Sequence, residues 1–208
     1  MLIHWIWLST RTGMGDRTRL SVLEQFGDAE NVYFAPSDGY ARIEGLSEDA
    51  VASLQDKDLP EDLIHATVAI EDKRFFEHQG VDWFTTVKAC AGMFFGGGTA
   101  GGSSLTQQLI KNLTDDKDTS VKRKLREIMR ALELEQKYEK DDILEMYLNT
   151  IYFGQNAYGV QQAAKTYFNK ELDELTLAEC ASIAGIVKNP YGYDLKRFPE
   201  KNAERRAI

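Results

Sequence analysis

After Pro60, apolar side chains recur at intervals of three and four residues along most of the chain, the signature of helices that each bury one face. The spacing predicts helices over 60–76, 83–95, 104–112, 121–138, 140–149, 160–168 and 176–187, punctuated by Gly, Asn, Asp or Pro. Pro60 suits a first helical position because its missing N–H would be unpaired there anyway. Ahead of it the periodicity is weak. NVYFA and YARIEGL read as short strands around the turn-forming PSDG, and SEDAVASLQ as a brief helix with Ser47 as its N-cap. The first eight residues, MLIHWIWL, are apolar but far short of the ~20 needed to span a bilayer. The pattern therefore divides the chain into an entry segment, 1–58, and a mainly α-helical domain, 59–208. The remnant of a membrane anchor and linker is one reading of the entry segment.

Composition adds bounds. A chain of 208 residues, 43% of them hydrophobic, can close one sizeable core. A net charge of −8 argues against nucleic acid as the partner, because phosphate contact needs a basic surface. Cys90 and Cys180 lack a CxxC spacing and sit in apolar runs, so they read as small buried hydrophobes rather than a disulfide. GGGTAGG at 96–102 must turn tightly or flex. Before it, WFTTVKACAGMFF is either a core helix or a flap whose aromatics meet a lipid surface.

Two carboxylates stand out. Ile64, Val68, Glu71 and Phe75 fall on one helical stripe, so Glu71 lies in line with three large apolar side chains. Unless it merely pairs with Lys73 or Arg74, burial raises its pKa and makes it a candidate proton acceptor. In VKRKLREIMRALELEQKY, Leu125, Ile128, Met129 and Leu132 form one apolar stripe, and Glu127, Ala131, Leu134 and Tyr138 a second. Glu127 has Arg123 and Lys124 one turn before it, either as an ordinary helix ion pair or as part of an anion site with Lys122, Arg126 and Arg130. Cations thus flank only the second acid in sequence. GGSSLTQQLIKN contributes Ser103, Ser104, Thr106, Gln107, Gln108, Lys111 and Asn112 around a helix start, which is either an anion-binding N-terminus or a capped helix with a polar outer face.

EDKRFFEHQG, GGSSLTQQLIKN, RKLRE, DDILEMYLN and YFGQNAYGVQQAAKTYF follow one another in an order and spacing that resemble the five motifs of the glycosyltransferase family 51 domain. That domain occurs in monofunctional peptidoglycan glycosyltransferases and at the front of class A penicillin-binding proteins. The resemblance runs from about Leu59 to the end, where PEKNAERR looks like a closing helix cut short. It implies a lysozyme-like helical fold, with a large lobe and a smaller membrane-facing lobe, on the extracytoplasmic face of the bacterial membrane. Its substrates would be lipid II and a lipid-linked glycan chain, and its partners a C-terminal transpeptidase domain or cell-wall synthesis proteins.

By resemblance, Glu71 is the general base on the acceptor 4-hydroxyl, supported by Asp72, Phe75, His78 and Gly80. Glu127 assists departure of undecaprenyl pyrophosphate, so that direct displacement inverts the anomeric carbon. Ser103, Gln107, Gln108, Lys111, Asn112, Arg123 and Lys124 fall at substrate-binding positions, while Asn149, Gly154 and Tyr158 support the cleft. The resemblance also admits a divalent cation, Mg or Mn, with Glu127 as its candidate ligand. Two positions depart from the family pattern: Ser104 replaces a common Thr, and Thr119, flanked by Lys117 and Lys122, stands where many members have Arg. The rival readings are a glycan-cutting enzyme of lysozyme type, which needs no cation cluster, and a non-catalytic lipid II-binding scaffold.

Overall fold

The computed structural model describes residues 2–11, 13–55, 59–94, 102–114 and 121–207. It divides into two compact units, Met1–Leu59 and Pro60–Ile208. Among the described residues there is no strand, and the one β-bridge is the isolated pair Tyr152 and Tyr158.

The first unit is built of helices α1 (Leu2–Thr10), α2 (Asp16–Phe26), α3 (Ala29–Tyr33), α4 (Ser37–Tyr40) and α5 (Glu48–Gln55). The strands expected around PSDG are helical instead. Gly27, at φ 88°, ends α2, and the Asp28 carboxylate accepts the Asn31 N–H at 2.7 Å to start α3. Pro36 then leads into a single helical turn. The β-formers Val32 and Tyr33 are buried with Trp7, Leu8, Val22, Tyr40 and Leu54, so packing overrides their strand preference. The expected α5 forms, with Ser47 Oγ accepting the Ala50 N–H at 3.2 Å. No described helix is long and apolar enough to cross a membrane.

The second unit holds α6 (Glu61–Glu71), α7 (Trp83–Phe94), α8 (Leu105–Thr114), α9 (Val121–Leu134), α10 (Lys140–Thr150), α11 (Val160–Phe168), a 3-10 turn (Leu172–Glu174), α12 (Leu177–Ile186) and α13 (Pro199–Arg206). All seven expected helices are present. Their ends differ where a side chain has other work. α6 stops at Glu71 rather than running to Phe76, because Asp72 leaves helical geometry (φ −156°) and its carboxylate goes elsewhere. Phe75 is therefore buried from a turn and not on the stripe of Glu71; the fully buried positions of α6 are Leu63 and Thr67.

Seven consecutive residues of α10, Ile143 to Asn149, are buried, as are five at the end of α12, from Ser182 to Ile186. Helices buried on every side are the centre of a domain. Around them α6 packs on α12, α8 on α9 and α10, α11 on α10 and α12, and α13 on α12. Thr176 caps α12 reciprocally with Glu179.

Two alternatives left open by the sequence are narrowed here. The described side chains of α7 include none that is buried, and Trp83, Phe84 and Val87 are more than half exposed, so this described part of α7 is not a core helix. On α9 the core stripe is the one carrying Glu127, Ala131, Leu134 and Tyr138, all buried, whereas Leu125 and Met129 face solvent. Cys180 is buried and free, as expected. The side chain of Cys90, the loop 95–101 and Thr119 lie outside the described residues.

Candidate functional site

Glu71 is the last residue of α6, and its side chain is 10% exposed. Its Oε1 accepts from Arg205 Nη2 of α13 at 3.2 Å, and its Oε2 faces Gln108 Nε2 of α8 at 3.4 Å. Gln108 is itself oriented, since the Tyr147 hydroxyl donates to its Oε1 at 2.9 Å and so turns the amide N–H toward Glu71. Neither local partner anticipated from sequence is used: Arg74 forms a two-pronged pair with Asp82, and Lys73 is exposed. Burial pushes the Glu71 carboxyl above the ordinary glutamate range, opposed in part by Gln108, Arg205 and Lys188. The expectation that cations stand only beside Glu127 is thus overturned. Arg205 and Lys188 serve Glu71 from positions 134 and 117 residues further along the chain, beyond any periodicity.

The neighbouring Asp72 points the other way. It is buried, pairs with His78 Nε2 at 3.0 Å, and accepts the Leu105 N–H at the start of α8 at 2.9 Å. Phe75, fully buried, lies under Lys140 with the ammonium 4.4 Å from its ring centre. Gly80 closes this loop at φ +84°, and an added Cβ would lie 2.7 Å from the Ala131 carbonyl oxygen, so only glycine lets the loop sit on α9.

The start of α8 is capped rather than open. Gln107 Oε1 accepts the Ser104 N–H at 3.0 Å and Ser104 Oγ accepts the Gln107 N–H at 3.2 Å, while the Ser104 hydroxyl donates to the Gly80 carbonyl. With the Leu105 N–H given to Asp72, these donors are consumed by the fold. Thr106 is likewise engaged, donating to Glu135 at 2.5 Å. The polar face of α8 left for a ligand carries Gln108, Lys111 and Asn112, the last two exposed.

Glu127 is 5% exposed, with Arg123 Nη1 donating to its Oε2 at 2.7 Å and Lys124 Nζ donating to its Oε1. Lys124 also reaches Ser103 Oγ at 2.7 Å, tying α9 to the segment before α8. Beside Glu127 a shallow, solvent-open hollow is lined by Lys111, Thr114, Arg123, Arg126, Glu127 and Arg130. Four cations around one carboxylate make this a place for a strongly anionic group. Both Glu127 oxygens are already held by cations, and no cluster of three His, Cys, Asp or Glu exists among the described residues. This donor set does not fit a resident divalent cation.

One helix joins the two acids: Gln108 of α8 meets Glu71, and Lys111, one turn on, lines the hollow of Glu127. The residues matching the later motifs lie apart from these contacts. Asn149 is buried against the Glu145 carbonyl, and Gly154 turns at φ +87° against Pro190 and Tyr167. Tyr158 is exposed and stacks on Tyr152 with ring centres 4.8 Å apart. Arg205, Lys188 and Tyr147 are the site residues that sequence reasoning missed; the only hint of Arg205 was the ERR of the closing helix.

The sequence is similar to those of several known proteins. The chain is 42% identical over 175 residues to penicillin-binding protein 1F of Bacillus subtilis, covering 80% of this chain and 24% of that protein. It is 45% identical over 151 residues to penicillin-binding protein 1A of Neisseria flavescens, covering 72% of this chain and 19% of that protein. A protein of Cupriavidus necator designated a transglycosylase shares 42% identity over 147 residues, 71% of this chain and 64% of its own length. The chain thus spans less than two thirds of each of these relatives. The family described as transglycosylase matches residues 40–208, a stretch that takes in both glutamates, the basic hollow and the closing helix, and the chain belongs to that family.

Proposed function

We propose that this chain is the catalytic part of a peptidoglycan glycosyltransferase that polymerises lipid II at the outer face of the bacterial membrane. The observation that carries the reading is the pair of sheltered glutamates served by different cations and joined along α8. A sugar hydroxyl is a poor nucleophile and needs a base with a raised pKa; a departing pyrophosphate needs fixed positive charge. Glu71 answers the first need and the hollow of Lys111, Arg123, Arg126 and Arg130 the second.

In this mechanism Glu71 takes the proton of the acceptor 4-hydroxyl as its oxygen forms the new bond to the donor's anomeric carbon. The bond from that carbon to pyrophosphate breaks, and its electron pair leaves with the pyrophosphate oxygen. One displacement inverts the anomeric configuration and leaves no covalent enzyme intermediate. Glu127 holds Arg123 and Lys124 in place for the leaving group. The penicillin-binding names of two relatives support a transpeptidase domain or other wall-building proteins as partners of the whole protein.

A glycan-cutting enzyme would have no use for four cations beside its second acid. Incubation with labelled lipid II separates the two: long glycan is expected, and shortening of added glycan with no polymer formed would overturn the proposal. The donor site has its own check. Lys124→Ala removes the link between Glu127 and Ser103 and should weaken binding of a lipid-linked polymer donor by about tenfold or more, a charge-assisted hydrogen bond being worth ~1.5–3 kcal/mol. Unchanged donor KM in that variant would show that the pyrophosphate lies elsewhere. The rate should also fall as pH drops through the Glu71 pKa, with an acid limb above the ordinary glutamate range, since only the ionised base can accept the proton.

A further inference from the structure

Glu71 accepts a hydrogen bond from a residue 134 positions away, in α13, a helix that packs on α12 as α6 does. Arg205 reaches from α13, its side chain only 12% exposed, and its Nη2 meets two acceptors: Glu71 Oε1 at 3.2 Å and the Ile70 carbonyl oxygen at 3.5 Å. The second is one of the carbonyls that the C-terminus of α6 leaves without a helical partner. One guanidinium thus holds both the end of the helix and the carboxylate that ends it.

The two carboxylate oxygens are not equivalent. Oε1 faces a full positive charge, which lowers its affinity for a proton. Oε2 faces a neutral amide at the longer distance of 3.4 Å, and that amide is turned by Tyr147. We propose that Arg205 is the positioning residue of the base: by occupying Oε1 it reserves Oε2 as the oxygen that receives the acceptor proton. On that assignment the O–H bond of the acceptor breaks, the new O–H bond forms at Oε2, and Arg205 keeps its own proton throughout, because a guanidinium does not give one up. The proposal rests on the reading of Glu71 as the base and adds which oxygen works and what holds it.

The charge does a second job. Burial disfavours the ionised carboxylate, and Arg205 is the larger of the two cationic contributions that oppose this, Lys188 being the other. The groups facing Glu71 are Arg205 from α13, the exposed Lys188 after α12, the Tyr147 hydroxyl from α10, the neutral Gln108 from α8, and Asp72 next to it in the chain. Asp72 is turned toward His78 and Leu105 and has no hydrogen bond with Glu71. Among the described residues, removing Arg205 would leave Lys188, an exposed and solvent-screened charge, as the remaining cation against burial.

Arg205→Ala and Arg205→Lys, each checked by circular dichroism and melting, test this against Glu71→Gln and the unaltered chain, with rates followed across pH on lipid II. Arg205→Ala should lower kcat by about tenfold or more, leave acceptor KM within about threefold, and move the acid limb of the pH profile upward by about one unit, a tenfold change in acidity. Arg205→Lys keeps a charge but not the planar fork, so it should hold the limb near its original pH while still losing kcat. A purely structural clamp would depress the rate equally at all pH values, and a limb that stays put in Arg205→Ala overturns the inference. Should Arg205→Ala not fold, an Arg205→Lys chain with unaltered kcat does the same. If Glu71→Gln polymerises normally, the reading of Glu71 itself fails; if it is inactive while the Arg205 limb does not move, only the present inference fails.

Discussion

Glu71→Gln should abolish polymerisation of lipid II and leave the fold intact. General-base catalysis contributes roughly 10²–10⁴ in rate, and an amide of the same shape cannot take up the acceptor proton. The variant should not unfold more easily. Because burial raises the Glu71 pKa in the folded chain above its unfolded value, the folded state binds that proton more tightly, and stability is lost as pH rises from the unfolded to the folded pKa. Glutamine resembles the protonated carboxyl, so at neutral pH its melting temperature should equal or exceed that of the unaltered chain. A polymerisation rate within tenfold of normal, measured on labelled lipid II, would remove Glu71 from the mechanism.

Asp72→Ala should be as damaging to activity by a different route. The carboxylate is buried and holds two donors, His78 Nε2 and the Leu105 N–H that opens α8. Deleting it strands both, and each buried donor left without a partner costs about 1–3 kcal/mol, so a loss of roughly 2–6 kcal/mol of stability is expected. The start of α8 would loosen, and with it Gln108, the neighbour of Glu71. Denaturant unfolding reads the first effect and polymerisation the second. A stable, inactive Asp72→Ala chain would mean that Asp72 touches substrate rather than building the site.

The adjacency of these two residues shows what a sequence can and cannot disclose. Periodicity located α6 and α8 to α12, each of which buries at least one face, and also α7, whose described side chains stay unburied; it did not locate α13, whose buried residue is the polar Asn202. It placed Glu71 and Glu127 among apolar neighbours. It misjudged the end of α6, since a helix pattern does not announce that Asp72 will leave it to cap α8. It also left open which of the two apolar stripes of α9 is the core, and Leu125 and Met129, which fit helical spacing, stay exposed. The strands expected in the first unit failed because Val32 and Tyr33 are β-formers only by local preference, and Trp7 and Tyr40 pack against them as helices. Arg205 was invisible to any window, since its contact with Glu71 joins the two ends of the second unit's sequence.

The bridging role of α8 sets a scale on the whole apparatus. Gln108 and Lys111 stand three residues apart, so the step from the neighbour of Glu71 to the hollow of Glu127 is counted in helical rise, about 1.5 Å per residue. A ruler of that kind has gradations but no slack: one residue added between the two positions would swing either end through about 100° and break the alignment of attack and departure. On the proposed function, the spacing between base and leaving-group anchor is therefore gauged by the backbone hydrogen bonding of α8.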